Sequence, residues 1–441
     1  MIYKSYFYKS FSLFAFTFCV LTIGVSQDVK NYASLGEVWK DVKQSNTAFK
    51  NAAIQSKLAE LARKTAIGNV INPRLPVTFT MLDNTRLQNN FIPAEIFGGP
   101  AGTFREVTFG QQYNALLSLQ PQFDIFNLSA ISQIKSAKIN QELTESQNLL
   151  NEKTLYESVN ATYYNIVSLK NQQKVLTQNI EIASQIKAKV NDRFKEGVIR
   201  KQDVNEAEVN LIALQDKLQQ LEYNISLQEN ILSLFLENKW NPMVEENLNS
   251  YVLDNVPNPT SGNIQYKNAM LQSKMLHQDI KILQHQYYPT LSFTSSLNWQ
   301  NLSNDFFFAN NSTGIHYNFI GLKIGWDLPT VQRLSSIKNK KYQLQTLANN
   351  ELHIQNETKN KDQQLALEYE KAQKQWSNFK SIADLKEDTY QKYLNQYNEN
   401  ILPLDRLLTS QNDMLNSQLN VVVALANIAF AKHKIIIHNQ Y

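Results

Sequence analysis

The 441-residue sequence has few residues that interrupt helices: 12 glycines and 11 prolines. Five intervals lack both: 37–67, 122–196, 198–241, 330–402 and 404–441. The second alone is 75 residues. As one helix, most of it would be about 100 Å long at 1.5 Å per residue, far beyond the ~11 residues of an ordinary globular helix. Cysteine is nearly absent. Cys19 is the only one and Phe16-Thr17-Phe18 precede it, so it lacks the small residues of a lipoprotein signal. A chain without that segment has no disulfide or thiol chemistry. Charge is low, at 19% of residues, and nearly balanced. No basic field points to nucleic acid. Long apolar runs are missing beyond the N-terminus, so any membrane passage must be made by strands.

Residues 1–26 read as a secretory signal: Lys4 and Lys9 with no acid, an apolar stretch Phe11–Val25, and small Gly24 and Ser26 before Gln27. The apolar run is short for a hydrocarbon layer ~30 Å thick. Without it the chain keeps 41 basic against 39 acidic residues.

The remaining sequence is written twice. Asn51-Ala-Ala-Ile-Gln-Ser-Lys57 returns as Asn268-Ala-Met-Leu-Gln-Ser-Lys274, and Asn72-Pro-Arg-Leu-Pro-Val-Thr78 as Tyr288-Pro-Thr-Leu-Ser-Phe-Thr294. Leu119, Phe123, Asp124 and Ile134 meet Leu322, Trp326, Asp327 and Ile337 at an offset of 203, and Phe194 and Gly197 meet Tyr397 and Asn400 at the same offset. A repeat of this length sets the architecture before any single residue does. The first repeat covers 27–238, a non-helical belt 239–262 follows, and the second repeat covers 263–441. Each half reads as helix, strand, loop, strand, long helix, reversal, helix. Strands are expected near 75–82, 115–124, 290–299 and 315–327. Long helices are expected at 128–196, 202–238, 331–398 and 404–438.

The rods carry coiled-coil spacing. Val204, Ala207, Leu211, Leu214, Leu218, Leu221 and Ile225 step by threes and fours, and Leu169, Leu176, Ala183 and Val190 step by sevens. They reverse at Glu196-Gly197-Val198, with Asp203 a candidate cap for the returning rod. The strands alternate. Leu117, Leu119, Pro121 and Phe123 lie opposite Ser118, Gln120, Gln122 and Asp124, and Ile320, Leu322, Ile324 and Trp326 lie opposite Gly321, Lys323, Gly325 and Asp327. An apolar face opposite a polar one, with aromatics near the ends, is the pattern of a membrane β-strand. Trp299 and Trp326 are candidate membrane-interface anchors. Asp124 and Asp327 are candidate strand-to-helix caps.

Four strands cannot close a barrel that holds water, and an open edge in lipid leaves backbone groups unpaired at several kcal/mol each. Copies must therefore associate. Three give 12 strands, wide enough for a lumen, above a tube of helices.

On these features the chain resembles the TolC-type outer-membrane efflux channels over nearly all of its length beyond the signal. The duplicated Leu-Pro/Pro-x-Leu strand entry carries the likeness, together with a tip motif of aromatic-x-x-Gly, then an acid six residues on: Phe194-Lys-Glu-Gly197 and Asp203-Val204, then Ala207. The second copy departs, with Asn400 for glycine and Arg406 for the acid. The resemblance implies a homotrimer in outer-membrane lipid with a 12-stranded barrel and a long periplasmic α-barrel. It also implies an export duct working with a periplasmic adaptor and an inner-membrane transporter, not an enzyme, with no cofactor and no nucleic-acid partner. The competing reading is a periplasmic coiled-coil scaffold or adaptor without a barrel. By position, Tyr397 and Asp203 match a tyrosine–aspartate link that closes the tip in some relatives, and the inward acids fall on Arg406 and Thr409. Leu402 replaces a linking arginine. The six histidines (277, 285, 316, 353, 433, 438) show no ligand spacing. Arg406, with Asp405 beside it, is either a solvated turn residue or a constriction ring that favours anions. Charge reversal separates these: a constriction ring predicts that Arg406→Glu shifts ion selectivity in planar bilayers towards cations, and a solvated residue predicts no change.

Overall fold

The computed structural model describes residues 29–72, 74–248, 251, 258–260 and 264–441. The signal segment and most of the second half of the belt lie outside these residues. Two helices dominate: α3 (Leu128–Lys195) and α6 (Val331–Asn398), each of 68 residues, about 100 Å long. Each reverses into a shorter partner, α4 (Lys201–Phe235) and α7 (Leu404–Gln440). Three further helices, α1 (Leu35–Ser45), α2 (Thr47–Ile71) and α5 (Ile264–His285), complete the helical part. The helices lie side by side. α3 packs against α2 and α4 on one flank and α5 and α7 on the other, and α6 packs beyond α5 and α7. The order across the wall is therefore α2/α4, α3, α5/α7, α6, with the outer sides of α2/α4 and α6 uncovered. Ile54, Leu58, Val209 and Tyr223 are exposed at one flank, and Leu352, Leu367 and Leu385 at the other.

The heptad positions face the wall. Val204, Ala207, Leu211, Leu214 and Ile225 are buried, as are Leu176, Ala183 and Val190. α7 differs from the sequence expectation, because it is long and apolar enough to cross a membrane. Its apolar residues are instead spent inside the wall. Leu407, Met414, Ile428, Ala429, Ile435 and Ile437 are all buried, and the helix lies along α3 and α6. The first helical interval is also interrupted. Asn46 ends α1 and caps α2, its side chain accepting from the Ala48 N–H at 2.8 Å.

Nine strands form three sheets. β1 (Val29–Tyr32) and β7 (Asn241–Val244) make a short parallel pair that joins α1 as a girdle on the rods. Tyr32, Leu35, Val38 and Val42 bury against Val159, Tyr163 and Ile166 of α3 and Leu232 of α4. The belt, expected to be irregular, thus contributes a strand; four residues with a proline among them carry too little alternation to announce it.

The main sheet is antiparallel and contains β2 (Val77–Asp83), β5 (Tyr113–Leu119), β6 (Gln122–Phe126), β8 (Thr290–Ser303) and β9 (Thr313–Gly325). β5 and β6 pair with β8 in one continuous register, Leu119 opposite Leu297 and Gln122 opposite Thr294. Pro121 interrupts the strand only because it has no N–H to give; its carbonyl still accepts from the Ser295 N–H at 2.9 Å. The working order is β2, β5–β6, β8, β9. The segment 83–113, expected to be a bare loop, holds a second hairpin: β3 (Asn89–Pro93) against β4 (Phe104–Thr108) around a 3-10 turn, Ala94–Phe97. Gly98 and Gly102, at φ +78° and +80°, allow the chain to double back there.

Candidate functional site

Two regions contain the residues singled out by sequence: the sheet at one end of the rods and the helical reversals at the other. The register assigns every sheet residue to a face. One face holds Val77, Phe79 and Met81 of β2, Leu117 and Leu119 of β5, Phe123 of β6, Leu291, Phe293, Leu297 and Trp299 of β8, and Ile320, Leu322 and Ile324 of β9. These side chains are largely uncovered: Ile320 is 78% exposed, Ile324 74% and Val77 63%. The opposite face carries Thr78, Ser118, Gln122, Asp124, Ser292, Thr294, Ser296, Asn298 and Lys323. Ser118 and Ser296 both donate to the Asn298 Oδ1, at 2.7 and 3.1 Å. Polar groups are thus satisfied on one side, while apolar groups stand bare on the other. A sheet in water would do the reverse. The polar face is not uniform, because Ile315, Tyr317 and Phe319 join it at the far end of β9.

β2 pairs only with β5, and β9 only with β8. Both outer edges of the sheet therefore have no strand beside them. The edges continue into the uncovered flanks of the helical wall, since α2 leads into β2 and β9 leads into α6.

Trp299 sits opposite Leu117 and His316 on the apolar face. Trp326 follows β9, and its Nε1–H donates to the Tyr287 carbonyl at 3.0 Å, tying the strand end to the end of α5. The strand-to-helix caps are Asn127 and Thr330, three residues after the expected Asp124 and Asp327. Asn127 Oδ1 accepts from the Ala130 N–H at 3.0 Å, and Thr330 Oγ1 from the Arg333 N–H at 3.3 Å. Asp124 instead holds the cap, accepting from Asn127 Nδ2 at 2.9 Å and from the Ser292 hydroxyl at 2.9 Å. Asp327 pairs with Arg333 at 3.8 Å. An aspartate one turn too early still makes the junction, but as the support of an amide or arginine.

At the other end both reversals use the same device. Gly197 and Asn400 stand at φ +74° and +62°. The Val198 N–H reaches the Arg193 carbonyl at 3.0 Å and the Ile401 N–H reaches Gln396 at 2.9 Å, with Gly197 to Phe194 and Asn400 to Tyr397 inside them. These are paired helix-terminating bonds around a left-handed residue. Asparagine serves in the second because it tolerates that conformation. Asp203 accepts from the Arg200 N–H at 3.0 Å, so it supports the α4 start from the third helical position instead of the cap position.

Tyr397 is buried in an apolar cluster with Ile186, Val190, Val204, Leu404 and Leu407. Its hydroxyl has no hydrogen-bond partner. The positional match to a Tyr397–Asp203 link is therefore not realised within this chain, because the Asp203 carboxylate is engaged by backbone. Burial raises the Tyr397 pKa, with the neighbouring Arg193 guanidinium opposing that rise. Arg193 is the tip residue that sequence reasoning missed. Its guanidinium lies 4.6 Å from the Tyr397 ring centre and donates to the Tyr397 and Asn398 carbonyls at 3.0 and 2.9 Å. It thereby satisfies open carbonyls at the C-terminal end of α6 from the neighbouring rod. A base in the last turn of α3 was the available signal, but it fits α3's own dipole equally well.

Phe194 is partly exposed, with Lys201 5.6 Å from its ring centre. Asp405 and Arg406 are exposed, and among the described residues Arg406 makes no ion pair. Thr409 donates to the Asp405 carbonyl at 2.8 Å, and Leu402 packs against the apolar cluster. Deeper in the tip, amides tie the two hairpins together: Asn179 Nδ2 to Gln418 Oε1 at 2.9 Å, and Asn210 Nδ2 to Gln411 Oε1 at 3.1 Å.

No protein-family model matches the sequence, and no curated protein matches it. Solved structures match over nearly the whole chain. The outer membrane protein VceC of Vibrio cholerae superposes with a TM-score of 0.67 at 16% identity, over 92% of this chain and 95% of its own. CusC, solved in a study of transmembrane channel formation, gives 0.74 at 15% identity over 91% of each chain. The open state of the Neisseria gonorrhoeae MtrE outer membrane channel gives 0.64 at 12% identity, over 92% of this chain and 91% of its own. The chain has the fold of these outer-membrane channels.

The tip geometry separates two ways of holding the reversals. Tyr397→Phe removes a buried hydroxyl that has no partner, so thermal stability and channel leakage should stay unchanged. Arg193→Ala removes two charge-assisted hydrogen bonds and the ring contact. It should cost about 2–3 kcal/mol, read as a lower unfolding midpoint and faster hydrogen exchange in the 396–401 turn. The opposite ranking would restore the tyrosine hydroxyl as the closing group.

Proposed function

We propose that the chain is one of three identical subunits of an outer-membrane exit duct, serving export from the periplasm. The observation that carries this reading is the pair of open edges beside a bare apolar face. In lipid, such a sheet is tolerable only if each edge meets another strand. A chain whose two edges differ, β2 on one side and β9 on the other, closes head to tail into a ring. Four strands from each of three copies make a 12-stranded barrel with room for water inside.

The helical wall supports the same closure. Its uncovered flanks continue the two sheet edges, so the contacts that close the barrel also join α2/α4 of one copy to α6 of the next. The product is a tube about 100 Å long beneath the barrel. The equal lengths of α3 and α6, and the matched bonds at Gly197 and Asn400, favour an origin of the two halves by duplication. Trp299 and Trp326 are the proposed membrane-interface anchors. Phe194, Gly197, Asp203, Tyr397, Asn400, Asp405 and Arg406 form the proposed tip, where an adaptor docks and the duct opens. An inner-membrane transporter supplies the cargo and the energy; the duct is passive and performs no catalysis.

The protein mass of detergent-extracted material tests the reading, by light scattering after size exclusion. Three chains per particle are expected. A monomer, or a species that stays in solution without detergent, would overturn the duct in favour of a periplasmic scaffold.

A further inference from the structure

Lys153 is 91% buried in the helical wall, with a relative exposure of 9%, yet it makes no hydrogen bond or ion pair with any described residue. A buried ammonium is costly unless a partner neutralises it. It lines a cavity of about 320 Å³ at the seam where α7 ends and α5 begins, between α3 and α6. The seam is continuous, since the Ile264 N–H donates to the Tyr441 carbonyl at 2.8 Å.

The other bases of the cavity are placed differently. Lys434 pairs with Glu368 at 2.6 Å and His438 with Asp362 at 2.5 Å. Lys361 reaches only Gln364, at 3.5 Å. The cavity also has two carboxylates, Glu157 and Glu357, but both are exposed at its rim, where water screens them. At depth the charge is therefore positive. The walls beside it are apolar: Leu365 is buried, and Phe430 lines the same space. Burial lowers the Lys153 pKa despite the opposing field of Glu157, with Lys361 adding to the fall and Asp362 resisting it. The protein thus does not itself compensate this charge in full.

The side on which the cavity opens is set by helix periodicity. Glu152 and Tyr156 face the girdle: Lys43 pairs with Glu152 at 3.5 Å, and the Trp39 and Tyr156 rings stand 5.3 Å apart. At about 100° per residue, Lys153 and Glu157 point away from that side. The girdle must lie outside the tube if the duct is to stay open, which places the cavity on the lumen side. This placement alone rests on the duct reading.

We propose that this seam is a binding site for small amphipathic organic anions, a carboxylate or phosphate group on Lys153 with a short apolar tail against Leu365 and Phe430. A volume near 300 Å³ suits a ligand of that size. Such a site would make the duct wall a resting point for anionic cargo instead of an indifferent pipe.

Octanoate is the probe, measured by equilibrium dialysis of radiolabelled ligand against the full-length protein in lipid nanodiscs, with empty discs as the blank. Saturable binding of one octanoate per chain is expected. Lys153→Met should weaken it by about tenfold or more, the scale of one lost charged contact, while Lys153→Arg retains it. Removing a buried charge does not threaten folding, and the mass of the particle checks this for each variant. No saturable binding above the blank would overturn the proposal. So would equal binding by Lys153→Met, or octylammonium bound as well as octanoate. A chain that does not enter nanodiscs contradicts the duct reading alone; the same dialysis on the soluble protein then still decides the pocket.

Discussion

A strand edge carries a row of backbone donors and acceptors, and hydrocarbon offers them nothing. This chain has two such edges, β2 and β9, at the ends of a sheet whose apolar side is bare. Everything else in the architecture follows the same division. The strand edges pass into helices whose outer flanks also expose leucine, isoleucine and tyrosine. A single copy is thus unfinished along one line on each side, from the tip of the sheet down the helical wall. Water would penalise the apolar flanks and lipid would penalise the open edges, and head-to-tail association relieves both.

The rods were legible because helices of this length have a negative signature. Glycine and proline vanish for dozens of residues, and a heptad stripe must then find a partner. The reversals were legible for the complementary reason: a left-handed residue is needed at the end of each rod, and only Gly197 and Asn400 suit it. The main strands showed through alternation, since a sheet with one bare apolar face repeats every second residue. α7 was the deceptive case, apolar enough for a membrane but buried in the wall.

What stayed hidden depended on contacts distant in sequence. β1 and β7 pair across more than 200 residues, and neither is long enough to show a period. The β3–β4 hairpin lies in a segment rich in turn residues, where two five-residue strands look like loop. Asn127 and Thr330 cap the rods instead of the aspartates three residues earlier, because the cap position depends on where the chain leaves the sheet. Arg193 is the sharpest example. Its partners are carbonyls of Tyr397 and Asn398, which no pattern in the neighbourhood of residue 193 can announce.

The central claim is that β2 of one copy lies beside β9 of the next. Neighbouring strands are 4.7–4.9 Å apart, within reach of a disulfide between facing residues. Thr80 lies on the polar face of β2, and Ile315, Tyr317, Phe319 and Gly321 lie on the same face of β9. The measurement is oxidative cross-linking in membranes of four double variants, each joining Thr80→Cys to a cysteine at one of those β9 positions. The account predicts that at least one register gives a covalent ladder ending at three chains, and that neither single variant does. No cross-chain bond in any of the four, or a ladder that runs past three, would contradict it.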